Sequence, residues 1–212
     1  MDISNLRKEY TQSGITKASL DPDPIKQFET WFQQALKAGV VEPNAMSLTT
    51  VSSEGQPSIR TVLLKDYDQN GFEFYTNYGS IKAREIAANS KIALLFPWLA
   101  LERQVIVQGT AEKVSTAQSL KYFITRPRGS QLGAWVSKQS GRINSREFLE
   151  TALIQLKEKF GDGQIPLPDF WGGYRVVPEK IEFWQGRADR LHDRLSYSRT
   201  LDNDWALSRM SP

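Results

Sequence analysis

Cysteine is absent from the 212 residues, and histidine occurs once, at His192. Without thiols there is no disulfide framework and no thiolate nucleophile. One histidine and no cysteine leave only carboxylates as metal ligands, so no metal site is expected. No segment approaches the roughly 20 consecutive apolar residues that a membrane span needs. The opening Met1-Asp2-Ile3-Ser4 lacks the charged-then-apolar pattern of a secretory signal. The chain therefore reads as cytoplasmic, with no membrane partner. Charge of one sign is also scarce. The net charge is only +3, and Lys and Arg form no basic run of the nucleic-acid-binding type, so no nucleic-acid partner is expected. Neither a G-x-G-x-x-G stretch following a strand nor a G-x-x-x-x-G-K-[ST] stretch occurs, which disfavours a Rossmann dinucleotide site and a P-loop.

Aromatics are plentiful: six Trp, seven Tyr and ten Phe. Large flat rings build cores and interfaces, and they also suit flat ligands. The apolar share of 40% and charged share of 24% are ordinary for a globular chain.

Residues 1–20 are polar and without period, and are taken as an N-terminal arm, mobile until a ligand or partner orders it. Residues 21–212 are taken as one domain. Asp23-Pro24 is a helix start, with Asp as cap and Pro in the first turn. Ile25, Phe28, Phe32, Ala35 and Leu36 then recur at helical spacing up to Gly39. Strands are predicted over 45–52 and 57–66 around a Ser53-Glu54-Gly55-Gln56 turn, then over 71–76, 91–96 and 103–114. Ser80 caps a helix to about Asn89, Ser115 and Gln118 form a capping box, and a further helix covers 145–160. Closing strands are predicted over 171–177, 180–184 and 189–198. Strands in hairpins with helices inserted late exclude a doubly wound parallel sheet. The expected class is mainly β with α: about six to eight mostly antiparallel strands forming a small barrel with peripheral helices.

Four constellations carry potential chemistry. In Arg190-Leu-His-Asp-Arg194, strand alternation places Arg190, His192 and Arg194 on one face, a set of donors suited to a phosphate. A solvated edge strand is the plainer alternative. Arg60-Thr-Val-Leu-Leu-Lys65 brackets an apolar strand with two cations, which ideal alternation would send to opposite faces. Tyr75-Thr-Asn-Tyr-Gly-Ser80-Ile-Lys82 runs from a strand into a helix start, where free N–H groups favour an anion. A solvent-facing Lys82 is the alternative there. Tyr122 and Arg126 share a helix face, Pro127 ends that helix, and Ser130 lies just beyond. Gln104 at a strand start, and Gln139 with Ser140 in a loop after Trp135, are weak signals alone. No serine nucleophile has a base partner, so a bound cofactor would carry the reaction.

Together these residues resemble the pyridoxine/pyridoxamine 5′-phosphate oxidase family. The matching stretches include Arg60-Thr-Val-Leu-Leu-Lys65, Phe74-Tyr-Thr-Asn77, Leu94-Leu-Phe-Pro-Trp98, Leu101-Glu-Arg-Gln104, the run from Ser130 to Ser140, Phe170-Trp-Gly-Gly173, Ile181-Glu-Phe-Trp-Gln-Gly186 and Arg190-Leu-His-Asp-Arg194. The resemblance implies an FMN-binding split β-barrel homodimer with sites at the subunit interface. It implies oxidation of pyridoxine 5′-phosphate or pyridoxamine 5′-phosphate to pyridoxal 5′-phosphate, with oxygen as acceptor. In family terms Arg60, Thr61, Val62, Leu63, Leu64, Lys65, Tyr75, Thr76, Lys82, Gln104, Gln139, Ser140, Trp184 and Arg194 would hold FMN. Lys65, Tyr122, Arg126, Ser130, Arg190 and His192 would hold the substrate, with Arg7 and Tyr10 of the arm closing over it. Arg190 and His192 would be the catalytic pair.

One position departs from the family pattern: Ile81 stands where arginine is frequent, beside Lys82. The competing readings are another flavoprotein on the same barrel, which would lack the substrate residues, and a non-catalytic pyridoxal phosphate carrier, which would not need the FMN residues.

Overall fold

The computed structural model describes residues 3, 5–6, 9–136, 139–140 and 145–212. Among these residues nine strands form one sheet: β1 (Ala45–Val51), β2 (Pro57–Leu63), β3 (Asp66–Asp68), β4 (Gly71–Asn77), β5 (Lys91–Trp98), β6 (Arg103–Lys113), β7 (Trp171–Gln185), β8 (Asp193–Arg199) and β9 (Trp205–Met210). Every pairing among them is antiparallel. The order is β2-β1-β5-β6-β7-β4-β3, with β8 on β7 and β9 on β8. Among the described residues five α-helices accompany the sheet: α1 (Pro24–Lys37), α2 (Ile81–Ala88), α3 (Thr116–Thr125), α4 (Arg128–Val136) and α5 (Arg146–Phe160). The mainly-β split barrel with peripheral helices is thus the observed class.

The strand β7 organises the sheet. From Tyr174 to Gln185 it pairs with β6 along one edge. Along the other edge it pairs with β4 over Trp171–Val176 and with β8 over Lys180–Gln185. The changeover falls at Pro178, which has no N–H to give to a ladder. There the β6 register shifts between Gln108 and Gly109, and Glu179 becomes the extra residue of a bulge. A glycine flanks the joint on each neighbouring strand. A Cβ on Gly109 would lie 2.0 Å from the Val177 carbonyl oxygen, and one on Gly71 would lie 2.0 Å from that of Val176. The expectation of two strands, 171–177 and 180–184, is corrected: the bulge absorbs the proline and the strand continues.

Helix α1 lies against the core. The Asp23 side chain accepts the Ile25 N–H at 2.8 Å, and Pro24 opens the first turn. Its stripe of Ile25, Phe28, Trp31 and Ala35 is buried. Phe28 meets Phe32, Tyr67, Phe72, Phe96 and Trp98, with ring centroids 4.9–5.9 Å apart. Burial of one such ring stabilises the fold by roughly 2–3 kcal/mol. A second, smaller core of Phe123, Leu132, Ile165 and Trp171 sits beneath α3, α4 and α5.

Other expectations need adjustment. β3, β9 and α4 were not anticipated as separate elements, and Ser130, which lies beyond the end of α3 as expected, is itself inside α4. The strand expected at 189–198 begins only at Asp193. Ala188–Arg190 is instead a 3-10 turn with positive φ at Asp189 and Arg190, 54° and 59°. The alternation argument therefore does not apply to Arg190 and His192. In the arm, Ile15 and Leu20 are buried against the main core.

Gly109→Ala is expected to cost about 2–3 kcal/mol, because a methyl group meets rigid backbone. Urea unfolding with an unchanged slope measures it. A loss under about 0.5 kcal/mol would mean the joint relaxes freely.

Candidate active site

A cleft of about 1130 Å³ opens between the ends of β2 and β4, the start of α2, and α3 and α4. Of the residues singled out from sequence, Arg60, Thr61, Val62, Leu63, Lys65, Tyr75, Thr76, Lys82, Tyr122, Arg126, Ser130, Gln139 and Ser140 line it. Leu64 does not, because it is buried in the core, 5% exposed. β2 ends at Leu63, so the odd spacing of Arg60 and Lys65 does not separate them.

One end of the cleft is a cationic cradle. Arg60 donates to the Leu48 carbonyl at 3.3 Å and pairs with Glu85 at 3.2 Å. Glu85 also accepts from Ser58 at 2.8 Å and from Thr50. Burial works against the charge on Glu85, but these hydrogen bonds and the Arg60 cation outweigh it and hold its carboxyl below the usual range. Lys82 is 8% exposed rather than solvent-facing, and its Nζ donates to Thr76 Oγ1 at 3.2 Å. Burial, and then the Arg60 cation, push the Lys82 pKa down. Gln139 Oε1 accepts from Thr76 Oγ1 at 2.9 Å and from the Asn77 N–H at 3.3 Å. Ser140 Oγ accepts the Ile81 N–H at 3.4 Å.

The other end is an aromatic wall with a second cation. The Tyr122 ring stacks on Tyr75 at 4.1 Å, and Tyr75 stacks on Trp171 at 5.6 Å. Burial, and then the Glu73 carboxylate, push the Tyr75 phenol up, and its hydroxyl donates to Glu73 Oε2 at 3.1 Å. Gly173 makes room for this wall, since a Cβ there would lie 2.7 Å from the Tyr75 ring. Arg126 caps the C-terminus of α3, and its guanidinium lies 4.6 Å from the Trp171 ring centroid. Burial lowers its pKa. Its Nη1 is buried without a hydrogen-bond partner among the described residues. Such an orphan is costly unless a ligand completes it.

The remaining candidates form a separate cluster at the far end of β7. Gln104, Trp184 and Arg194 sit in one cross-strand row over β6, β7 and β8. Arg194 is paired bidentately with Glu182, at 2.9 and 3.1 Å, so it is not a free donor of the Arg190 face. His192 packs on Trp184 at 4.7 Å and on Tyr10 at 5.6 Å. His192 Nδ1 accepts the Arg187 N–H at 3.1 Å, which leaves the proton of the neutral ring on Nε2. Arg190 is exposed. Arg7 lies outside the described residues. Sequence reasoning gave no role to Trp171, Asn77 or Ser58, which also line the cleft. Trp171 lay within the quoted Phe170-Trp-Gly-Gly173 motif, and that was its available signal.

Fold and cleft together define a split-barrel protein with a cationic, ring-walled cleft. The family model described as pyridoxamine 5′-phosphate oxidase matches residues 32–160. The model for the pyridoxine 5′-phosphate oxidase C-terminal dimerisation region matches residues 171–212. Proteins named pyridoxine/pyridoxamine 5′-phosphate oxidase from Rippkaea orientalis and Crocosphaera subtropica are 58% and 60% identical, each aligned over 100% of both chains. Among solved structures, PhzG of Burkholderia lata in complex with tetrahydrophenazine-1-carboxylic acid aligns with TM-score 0.86 and 30% identity, over 91% of this chain and 94% of that one. A pyridoxamine 5′-phosphate oxidase-related, FMN-binding protein of Nostoc punctiforme aligns with TM-score 0.71 and 16% identity, over 87% and 97%, a likeness of fold. The chain belongs to the pyridoxine/pyridoxamine 5′-phosphate oxidase family.

Arg126→Met removes the orphaned nitrogen and keeps most of the packing. It is expected to leave the ligand-free protein unchanged or up to about 1–2 kcal/mol more stable. Thermal unfolding checks this, and a marked loss would mean that the guanidinium is already satisfied.

Proposed function

We propose that the chain is an FMN-dependent oxidase that converts pyridoxine 5′-phosphate or pyridoxamine 5′-phosphate to pyridoxal 5′-phosphate, with oxygen reduced to hydrogen peroxide. The observation that carries the reading is the buried Arg126 Nη1, without a hydrogen-bond partner among the described residues, in a cleft that holds a second cationic cradle at Arg60 and Lys82. Two cradles suit two phosphates. The volume also exceeds the usual range of about 300–1,000 Å³ for a single small ligand.

The residues fit FMN. Arg60 and Lys82 would hold its phosphate, and the segment from Thr61 to Lys65, with Tyr75, Thr76, Gln139 and Ser140, would hold the rest. When bound, FMN supplies the two-electron acceptor. Lys82 loses its proton at lower pH than an ordinary lysine, so the cradle weakens earlier as pH rises. Lys65, Tyr122, Arg126 and Ser130 would hold the substrate phosphate, with the Tyr122–Tyr75–Trp171 wall beside the pyridine ring. Alignment of two rings in a cleft supplies much of the rate, since the reacting atoms must be held close together.

Tyr10, Gln104, Trp184, Arg190, His192 and Arg194 lie off this cleft. A homodimer in which one protomer lays this cluster over the cleft of its partner gives all of them a place, and the match to a dimerisation region at residues 171–212 supports it. Arg190 would then stand near the substrate carbon that is oxidised, and His192 would offer Nε2–H to the ring or phosphate. The arm, whose Ile15 and Leu20 already pack on the core of the domain of 21–212, would be tightened further by ligand. The likeness to PhzG keeps a related flavoprotein with another substrate as the second reading. A carrier without flavin is the third.

Oxygen uptake by the FMN-loaded protein on addition of pyridoxine 5′-phosphate, matched by equimolar pyridoxal 5′-phosphate, tests the reading. FMN bound without uptake favours the second reading, and absence of FMN binding favours the third. Ile81, 44% exposed at the cleft edge, adds no charge to the cradle. Ile81→Arg is expected to slow FMN dissociation by about tenfold, the value of one charge-assisted contact. An unchanged off-rate in a fluorescence-recovery assay would refute that.

A further inference from the structure

Two carboxylates fasten the arm to the sheet. Glu102, between β5 and β6, is 3% exposed, and its Oε2 accepts the N–H groups of Thr11 at 2.9 Å and Gln12 at 3.2 Å. Asp193 Oδ2 accepts the Ile15 N–H at 3.0 Å, while Arg209 donates to the Ile15 carbonyl at 2.9 Å. Glu102 adopts a left-handed backbone, φ 56° and ψ 37°, which costs a residue with a Cβ roughly 1 kcal/mol or more. Its own carbonyl accepts the Gly186 N–H at 2.7 Å and Gln185 Nε2 at 3.1 Å. One residue thus joins the β6 entrance, the β7 exit and the arm.

Tyr10 immediately precedes the fastened pair. Its ring meets Trp184 edge-on at 5.7 Å and His192 at 5.6 Å. Gly186 forms the floor of this seat, since a Cβ there would lie 2.7 Å from the Tyr10 ring. The arm therefore reaches the Trp184–His192 pair in one defined register. Glu102 sets that register, because it takes the two N–H groups that follow Tyr10.

We propose that Glu102 is a positioning residue: by capturing the Thr11 and Gln12 amides it seats Tyr10 against His192 and so completes the substrate side of the site. This rests on the reading above that Tyr10 and His192 meet the substrate. A charged acceptor for two consecutive amides is stronger than a neutral one, and its burial keeps water from competing.

The test uses the FMN-loaded full chain. In Glu102→Gln, amide exchange at Thr11 and Gln12 is expected to quicken about tenfold, and the Kd for pyridoxal 5′-phosphate to rise about tenfold, with KM rising more than kcat falls. Glu102→Gly removes the same carboxylate and relieves the left-handed strain. It should behave alike, and it serves if the glutamine variant folds poorly. Gly186→Ala displaces the Tyr10 ring with Glu102 intact, so the Kd should rise while the Thr11 and Gln12 amides stay protected. Unchanged exchange in both Glu102 variants overturns the proposal, as does faster exchange with an unchanged Kd. An unaltered protein that neither binds pyridoxal 5′-phosphate nor consumes oxygen sinks the oxidase reading itself. Binding in the unaltered protein that the variants fully retain sinks this inference alone.

Discussion

The continuity of β7 through Pro178 is the constraint on which the rest depends. A fifteen-residue strand gives one edge to β6 and divides the other between β4 and β8. The missing N–H of proline would break a ladder in a strand paired on both sides. Here it falls where one neighbour has ended and the next has not begun, so no hydrogen bond is forfeited on that edge. On the β6 edge the bulge takes up the misfit, and Glu179, the extra residue, turns to Lys91 and Thr110. Both clusters of candidate site residues are rooted on this strand. Trp171 and Gly173 at its start shape the cleft, and Trp184 near its end shapes the Tyr10–His192 cluster. A change of register in β7 would move both at once.

The local signals of the chain were legible where the governing physics is local. Asp23-Pro24, the Ser53–Gln56 turn, Ser80 and the Ser115/Gln118 box each act within four residues, and each appears as read. What escaped was set by contacts distant in sequence. Pro178 reads as a strand break until the changeover from β4 to β8 is known. The short β9 takes its place from pairing with β8, which no periodicity within Trp205–Met210 announces. Arg128–Val136 carries two glycines, so propensity argues against the helix that packing of Leu132 beneath it supports, and Pro127 reads as the end of α3 although it also stands at the head of α4.

The site was legible in composition and less so in geometry. Thirteen of the residues read as ligand-holding line one cleft, because the ends of β2 and β4 and the start of α2 converge there. The Arg190–Arg194 stretch failed as a strand argument. Two residues with positive φ turn Arg190 away before β8 begins at Asp193. Alternation is a property of paired strands, and a charged pentapeptide does not say where pairing starts.

The arginines and the cradle lysine divide by whether a carboxylate answers them. Arg60, Arg175 and Arg194 are each held by a glutamate: Glu85, Glu73 and Glu182 respectively. These pairs are partly or wholly buried, so their net energetic value is modest, and their effect is to fix geometry. Glu73 illustrates this, since it grips Arg175 and also accepts the Tyr75 hydroxyl, which locks the ring that Tyr122 stacks upon. Lys82 and Arg126 have no carboxylate partner among the described residues, and both are depressed in pKa by burial. Arg103 shares that depression, but the side-chain oxygens of Gln185 and Gln34 answer it. Lys82 is buried, Arg126 is half-buried with its Nη1 enclosed, and both line one cleft. A buried cation without a counterion costs stability, so an anionic group entering this cleft would offset that cost, and the paired arginines and glutamates around it hold the walls in register.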